Sequence, residues 1–182
     1  MATIQAIETE YNGCYFRSRL EARWSVFFDT LGVEWEYEPE HYELGLKRPW
    51  LQDEYEFREY LNERIDDERD WGYEREIIRD AYREKYEQVM YLPDFILPGY
   101  EHWIEIKGKH PNAEERQKAS RLARQTRKPV HILWGDIQTQ MDRLGECTEV
   151  FGADMNIIAT LVIEHGLKRV LHAFTCARQA HF

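Results

Sequence analysis

The chain has 182 residues, of which 43% are hydrophobic and 14% aromatic, and this composition excludes a disordered or low-complexity protein. Three scattered cysteines without a CxxC spacing, and seven histidines without a Cys/His cluster, argue against a zinc site. The sequence has no apolar run near about 18 residues and no signal-peptide pattern, so we expect a soluble, cytoplasmic protein in a reducing compartment.

The net charge of −10 is unfavourable for a protein that meets nucleic acid. Residues 51–90 contain 14 acidic and 7 basic residues and account for −7 of this charge, whereas the rest of the chain carries only −3. The acidity is therefore concentrated in one segment, and the remaining sequence can still present a basic face.

The first predicted element is a helix over residues 15–31, which ends at Gly32. Its apolar residues recur at helical spacing: Phe16, Leu20, Trp24, Phe27 and Leu31. Glu21 lies at the border of that stripe, so it is either an i,i+4 partner of Arg17 or an acid directed at a site. Residues 33–38 alternate apolar and acidic side chains and predict a strand.

Residues 50–90 predict an acidic helical insertion, formed by two amphipathic helices with a turn at Trp71 and Gly72. The plain interpretation is a solvated helical hairpin that packs on the core through aromatic residues. The alternatives are a homodimer arm or an acidic surface that docks a basic protein partner.

Residues 91–108 predict a β-hairpin, because two short apolar runs flank Pro98 and Gly99. Asp94 opens the first strand, and Glu105 and Lys107 share one face of the second. Since paired strands lie about 4.8 Å apart, we expect these three charges to converge at one end of the sheet. The alternative is a structural hairpin whose charges simply face water.

Two carboxylates and an ammonium group suit a divalent-metal phosphodiesterase, because Mg²⁺ prefers hard oxygen ligands. The sequence Pro93-Asp94, followed after ten residues by Glu105-Ile106-Lys107, resembles the PD-(D/E)XK motif of the restriction-endonuclease-like nucleases. The segments RSRLEARW, WEYEPE, LPDF and EIKG occur in the order found in small members from bacteriophages and mobile elements. The resemblance covers residues 11–44 and 91–135.

The resemblance implies one nuclease-like α/β domain over residues 1–182. Its core would be an α-β-β-β-α-β arrangement with a mixed sheet. The helical-hairpin insertion would interrupt this core at residues 50–90, and residues 137–182 would form a helical C-terminal extension.

The resemblance also implies the roles of the site residues. The ligands of Mg²⁺ or Mn²⁺ would be Asp94, Glu105, the backbone carbonyl of Ile106 and, directly or through water, Glu21. Lys107 would orient or activate the attacking water, and the following helix would lend Lys118 or Gln117 to the catalytic site.

That helix is predicted over residues 113–126 with Asn112 as its N-cap. The residues expected to contact nucleic-acid phosphates are Arg17, Lys109, Arg121, Arg124, Arg127 and Lys128. A strand follows over residues 129–134, in which His131 is more readily explained as a structural than as a catalytic residue. Three further helices are predicted over residues 137–144, 154–165 and 167–182.

The residues and the resemblance together predict a Mg²⁺-dependent DNA endonuclease. Its phage or mobile-element type, with action in the bacterial host cytoplasm if phage-encoded, is what the resemblance alone implies. Junction resolution, nicking, exonuclease action and RNA cleavage share the same motif and stay open. The main alternative is a weakly active or inactive protein that binds a partner through residues 50–90, in counter-defence or as an assembly subunit.

Overall fold

A computed structural model describes residues 7–46 and 88–182, so the predicted helical insertion lies outside the described residues except at 88–90. There the prediction is wrong, because Gln88–Tyr91 is a strand that pairs with Tyr42–Leu46. The chain divides into two compact units, residues 1–41 with 92–182, and residues 42–91. In chain order, the described elements are β1 (Thr9–Tyr11), β2 (Cys14–Phe16), α1 (Arg19–Leu31), β3 (Glu36–Tyr37), β4 (Tyr42–Leu46), β5 (Gln88–Tyr91), β6 (Phe95–Leu97), β7 (His102–Lys107), α2 (Ala113–Thr126), β8 (Val130–Trp134), α3 (Ile137–Arg143), β9 (Thr148–Phe151), α4 (Ile157–His165) and α5 (Leu167–Gln179).

The larger unit is a mixed α/β structure whose main sheet has the strand order β3-β6-β7-β8-β9. Strands β7 and β8 are parallel and are joined by α2, whereas the other neighbours in this sheet are antiparallel. The mixed sheet and the five described helices confirm the predicted α/β class. In the second unit, β4 and β5 form an antiparallel pair.

Local signals define the two helices closest to the hairpin. Helix α1 begins after Ser18, whose side chain accepts the N–H of Glu21, and ends at Gly32 with φ 75°. Helix α2 spans Ala113–Thr126 as predicted, and Asn112 and Glu115 form a reciprocal capping box at its start.

The predicted first helix begins too early, because residues 14–16 pair with residues 9–11 as a short antiparallel hairpin. Asn12 and Gly13 connect these strands with φ 51° and 76°, a combination that suits a tight hairpin turn. This Asn-Gly pair was a local turn signal that the helical spacing of Phe16 and Leu20 obscured.

The core lies on one face of the main sheet, against α1, α4 and α5. Phe95 and Leu97 of β6 contribute to it, together with Ile104 and Ile106 of β7. Aromatic rings fill much of this layer, and the fully buried ones are Phe16, Trp24, Phe27, Phe28, Phe95 and Phe174. Because strand side chains alternate, Trp103, Glu105 and Lys107 lie on the opposite face.

Helix α2 packs against β8 and β9. The last segment differs from the predicted helical extension, because Thr148–Phe151 forms β9 and pairs with β8. The predicted helix break at Gly166 is confirmed between α4 and α5.

None of the helices in the described ranges combines the length and apolar character that a membrane span needs.

Candidate functional site

The hairpin of β6 and β7 sets the geometry of the site. Phe95 is paired with Ile104, and continuing this antiparallel register by one residue places Asp94 opposite Glu105. Both acids are nearly inaccessible, with 3% of Asp94 and 5% of Glu105 exposed to solvent. Two carboxylates therefore meet in a buried position, where charge needs compensation.

Lys107 supplies part of that compensation. It lies two residues beyond Glu105 on the same face, and its Nζ atom is 2.5 Å from Glu105 Oε1. Glu115 at the start of α2 approaches the same ammonium group at 3.9 Å. Burial alone would lower the pKa of Lys107, but the charges of Glu105, Asp94 and Glu115 raise it above its usual value, so this side chain is an ammonium at neutral pH.

Both carboxylate oxygens of Asp94 have a partner. Its Oδ2 accepts the backbone N–H of Ile106 at 2.6 Å, and its Oδ1 accepts a hydrogen bond from Arg17 Nη2 at 3.1 Å. Burial, followed by the charges of Glu105 and Glu21, raises the pKa of Asp94 well above its usual value. The Ile106 amide and Lys107 oppose this shift without cancelling it.

Glu21 reaches the site from α1, on the side of Asp94. Its Oε1 accepts from the Ser18 hydroxyl at 2.6 Å and its Oε2 from the Tyr37 hydroxyl at 2.5 Å. Burial and the hydrogen bond to Glu21 raise the pKa of Tyr37, so this hydroxyl stays protonated and donates. These bonds fix the Glu21 carboxylate at the border of the helix.

Arg17 connects these groups. Besides Asp94, its guanidinium pairs through Nε with Glu38, and its backbone N–H donates to Tyr37. Glu38 has an uncommon left-handed backbone (φ 45°), and its N–H donates to the Asp94 carbonyl at 2.8 Å. Arg17, which was expected to contact phosphate, thus forms an ion pair with Asp94, an expected metal ligand.

The donor set suits a divalent cation in its chemistry. Asp94 and Glu105 offer hard carboxylate oxygens. Burial, followed by the charges of Glu105 and Glu21, raises the pKa of Asp94, so a cation bound beside it would favour its ionised form. Within residues 7–46 and 88–182, no three His, Cys, Asp or Glu side chains are already grouped as a metal site. A bound ion would therefore rely on two carboxylates with backbone carbonyl or water ligands, as Mg²⁺ commonly does.

Comparison with protein-family models, curated proteins and solved structures gave no match. The assignment of the site therefore depends on the residues and geometry of this chain.

The remaining expected catalytic residue, Lys118, lies on α2 and pairs with Glu114 at 3.1 Å. On the same helix, it is Glu115 rather than Lys118 that approaches Lys107. Gln117 is half-buried.

The expected phosphate-binding residues are spread along α2 and its ends. Lys109, Arg124 and Arg127 are exposed, whereas Arg121 and Lys128 are partly buried. Lys128 pairs with Glu101 at 3.2 Å, beside the hairpin turn and at the opposite end of β7 from Lys107. A nucleic acid that contacts both ends would have to run along α2, about 20 Å for 14 residues.

His131 does not face the carboxylates. It is fully buried on β8, and its Nε2 lies 3.1 Å from Nδ1 of His102. Burial and the neighbouring His102 lower the pKa of His131 to about 3, so the ring is neutral. This agrees with the structural interpretation of this histidine.

Sequence reasoning missed four residues that complete the site, which are Ser18, Tyr37, Glu38 and Glu115. Ser18 and Glu115 were recognisable as helix-start residues, but their second contacts, to Glu21 and Lys107, depend on tertiary packing. Tyr37 pairs with Phe95, and this pairing brings it beside Asp94. That contact could only have been found by aligning β3 with β6.

Proposed function

We propose that this protein is a metal-dependent phosphodiesterase that cleaves DNA, with a catalytic core of the PD-(D/E)XK type. The observation that carries the proposal is the pairing of two buried carboxylates, Asp94 and Glu105, beside an ammonium group on one hairpin. A hairpin that only had to be stable would gain little from these charges, because burying them is costly.

The order of elements supports the same core. Within the larger unit, α1, β3, β6, β7, α2 and β8 follow one another as α-β-β-β-α-β, and α2 connects the parallel pair β7 and β8. This is the order that the resemblance to the restriction-endonuclease-like nucleases implies. The pair β4 and β5 belongs to the second unit, which interrupts this order after β3.

Asp94, Glu105 and the Ile106 carbonyl would hold Mg²⁺ or Mn²⁺, with Glu21 contributing through water. When bound, such an ion polarises a phosphate oxygen and makes a water molecule more acidic. Lys107 then has a defined task. Its ammonium group lies 2.5 Å from Glu105 Oε1, so it is placed to orient or activate the attacking water and to stabilise negative charge developing on the phosphate.

The Ile106 amide contributes by orientation. Its N–H holds Asp94 Oδ2 at 2.6 Å, which fixes the rotation of the carboxylate in the folded chain. The Lys107–Glu105 pair fixes the neighbouring carboxylate in the same way. Both acids are therefore preorganised by groups on the same strand, which limits the reorganisation needed when substrate binds.

A plasmid-cleavage assay with Mg²⁺, Mn²⁺ or EDTA tests the proposal. We expect nicking or linearisation of supercoiled DNA with metal, and its loss with EDTA. Glu105→Gln keeps the shape of the side chain but removes its charge, and should reduce cleavage by about 100-fold or more. Glu114→Gln, a matched change on exposed α2 surface, should cleave like the wild type.

Folding of each variant would be checked by circular dichroism. Absence of metal-dependent cleavage by folded wild-type protein on supercoiled, branched and single-stranded DNA would overturn the proposed activity. Equal cleavage by Glu105→Gln would overturn the assignment of the site.

A further inference from the structure

We propose that Arg17 is an internal counter-ion of the site, which a divalent cation displaces from Asp94, and that its guanidinium then becomes available to a substrate phosphate. This inference rests on the proposed function, because it concerns the same carboxylates. It assigns to Arg17 a positioning role that changes with occupation of the site.

The first observation concerns which oxygen of Asp94 is accessible to an ion. Oδ2 is bound to the Ile106 amide inside the sheet, whereas Oδ1 is bound to a side chain from outside the hairpin. That side chain, Arg17, lies 77 positions away in the sequence. A new cationic partner of Asp94 would therefore approach on the side that Arg17 occupies.

The second observation is electrostatic. A guanidinium is permanently charged, and a divalent ion on the same carboxylate would lie within a few ångströms of it. Like charges at such a distance repel each other. Water around the exposed side of Arg17 screens part of this repulsion, but only 3% of Asp94 is exposed, so the screening on the side of the carboxylate is small. Binding of the ion and the Arg17–Asp94 contact therefore oppose each other.

The third observation is that Arg17 can leave Asp94 without losing its position. Its side chain is 58% exposed, and its Nε atom is paired with Glu38, which stays available as an anchor. Its backbone N–H is held by Tyr37, whose hydroxyl also fixes Glu21. The released Nη2 group would thus stay beside the site and could donate to a phosphate oxygen.

A purely structural bridge makes a different prediction from a displaceable counter-ion. If Arg17 only held Asp94 in place, its removal would leave metal affinity unchanged or weaken it. If Arg17 competes with the ion, its removal should strengthen metal binding and at the same time weaken the metal-dependent contact with DNA.

Isothermal titration of the intact protein with Mn²⁺ separates these cases. We expect Arg17→Gln to lower the Kd for Mn²⁺ by about tenfold or more. A cation this close to a carboxyl group typically shifts its pKa by about one unit or more, which corresponds to a factor of ten in binding. Arg17→Lys, which keeps a charge on a more flexible stem, should be intermediate. Arg19→Gln removes the same charge from an exposed neighbouring position and should stay within about twofold of the wild type.

Asp94→Asn separates a failure of the metal site from a failure of the counter-ion role of Arg17. If the wild type and Arg17→Gln bind no Mn²⁺, or Asp94→Asn binds it equally well, the metal site of the proposed function fails. If binding depends on Asp94 but Arg17→Gln binds Mn²⁺ no more tightly than the wild type, the counter-ion role is overturned while the metal site stands.

A second readout covers the release of the guanidinium. DNA affinity would be measured by fluorescence anisotropy in EDTA and in Ca²⁺, used here as a divalent ion to support binding. We expect Arg17→Gln to weaken DNA binding by severalfold in Ca²⁺ and to change it little in EDTA. The same loss under both conditions would contradict release by the metal.

Discussion

At the scale of single residues, the site is a small set of charges that balance one another inside the protein. Asp94 and Glu105 are nearly inaccessible, and Lys107 and Arg17 bring a positive charge to each of them. Burial, followed by the charges of Glu105 and Glu21, raises the pKa of Asp94, so the ionised form of this buried acid depends on the cations beside it. Removal of either cation should therefore cost stability as well as chemistry.

Lys107→Met tests this balance. It leaves Glu105 buried without its ammonium partner, so we expect the free energy of unfolding at pH 7.5 to fall by about 1–3 kcal/mol. Lys107 is 29% exposed, which places the effect below that of a fully buried pair. The measurement is urea denaturation, and Lys107→Met combined with Glu105→Gln should recover most of the loss. A double variant as unstable as the single one would count against the pairing.

Because of His131, the free energy of unfolding should depend on pH. Burial, followed by His102, holds the folded-state pKa of His131 at about 3, below its usual value near 6.5 in an unfolded chain. The unfolded state therefore binds the proton more readily, and stability falls as the pH drops below about 6.5. This loss continues until the pH reaches the folded-state value.

We expect the free energy of unfolding contributed by His131 to drop by about 1 kcal/mol between pH 7.5 and 5.5. The check is urea denaturation at both pH values for the wild type and His131→Leu, in which that part of the pH dependence should disappear. His181→Leu, near the chain end and exposed, serves as the control. The same pH dependence in all three proteins would contradict this account.

At the scale of elements, Glu115 connects the start of helix α2 to Lys107 of the site. The Oε2 atom of Glu115 accepts the Asn112 N–H at 2.7 Å in the capping box, and its Oε1 lies 3.9 Å from Lys107. The first turn of α2 is therefore positioned on the strand that carries Glu105. The start of this helix matters for the geometry of the site as well as for stability.

Asn112→Ala should lower the free energy of unfolding by about 1 kcal/mol, because it removes the acceptor for the Glu115 N–H. Asn112→Asp retains an acceptor and should stay close to the wild type. Thermal denaturation of the three proteins gives the comparison. No change in Asn112→Ala would mean that the cap does not stabilise α2.

The sequence was most informative where the structure depends on neighbours along the chain. Gly32 and Asn112 defined helix ends, and the ten residues between Asp94 and Glu105 were enough to predict their hairpin. Such local signals cannot predict contacts between segments that are distant in the sequence. Arg17 was assigned to phosphate because nothing local indicates Asp94, and β9 was missed because Thr148–Phe151 is short and is only half-buried along its length.

At the scale of the whole molecule, net charge opposes the DNA binding that the proposed function requires. The chain carries −10 overall, and basic residues on α2 must act locally against that field. Arg124 and Arg127 are exposed there, near the end of the helix. DNA affinity should therefore depend strongly on salt and on these residues.

Replacing both Arg124 and Arg127 with Gln removes two side chains that are expected to neutralise DNA phosphates. We expect the slope of log K against log salt to become shallower by about 2, because each phosphate that is no longer neutralised reduces it by about 0.9. Lys168→Gln changes an exposed charge on α5 and should leave the slope unaltered. Anisotropy titrations in Ca²⁺ from about 50 to about 200 mM salt provide the slopes. An unchanged slope in the double variant would exclude these two arginines from the interface.

Strand β3 has a consequence for how the protein behaves at high concentration. In the described part of the chain it is an edge of the main sheet, only two residues long, and Glu34 and Glu36 are exposed on and beside it. An open sheet edge is a template for pairing with another molecule, and short length and charge are the usual protection. A second copy adding at this edge would bring the acidic side chains of the two molecules together, so Glu34 and Glu36 oppose the joining of neighbouring sheets into a longer one.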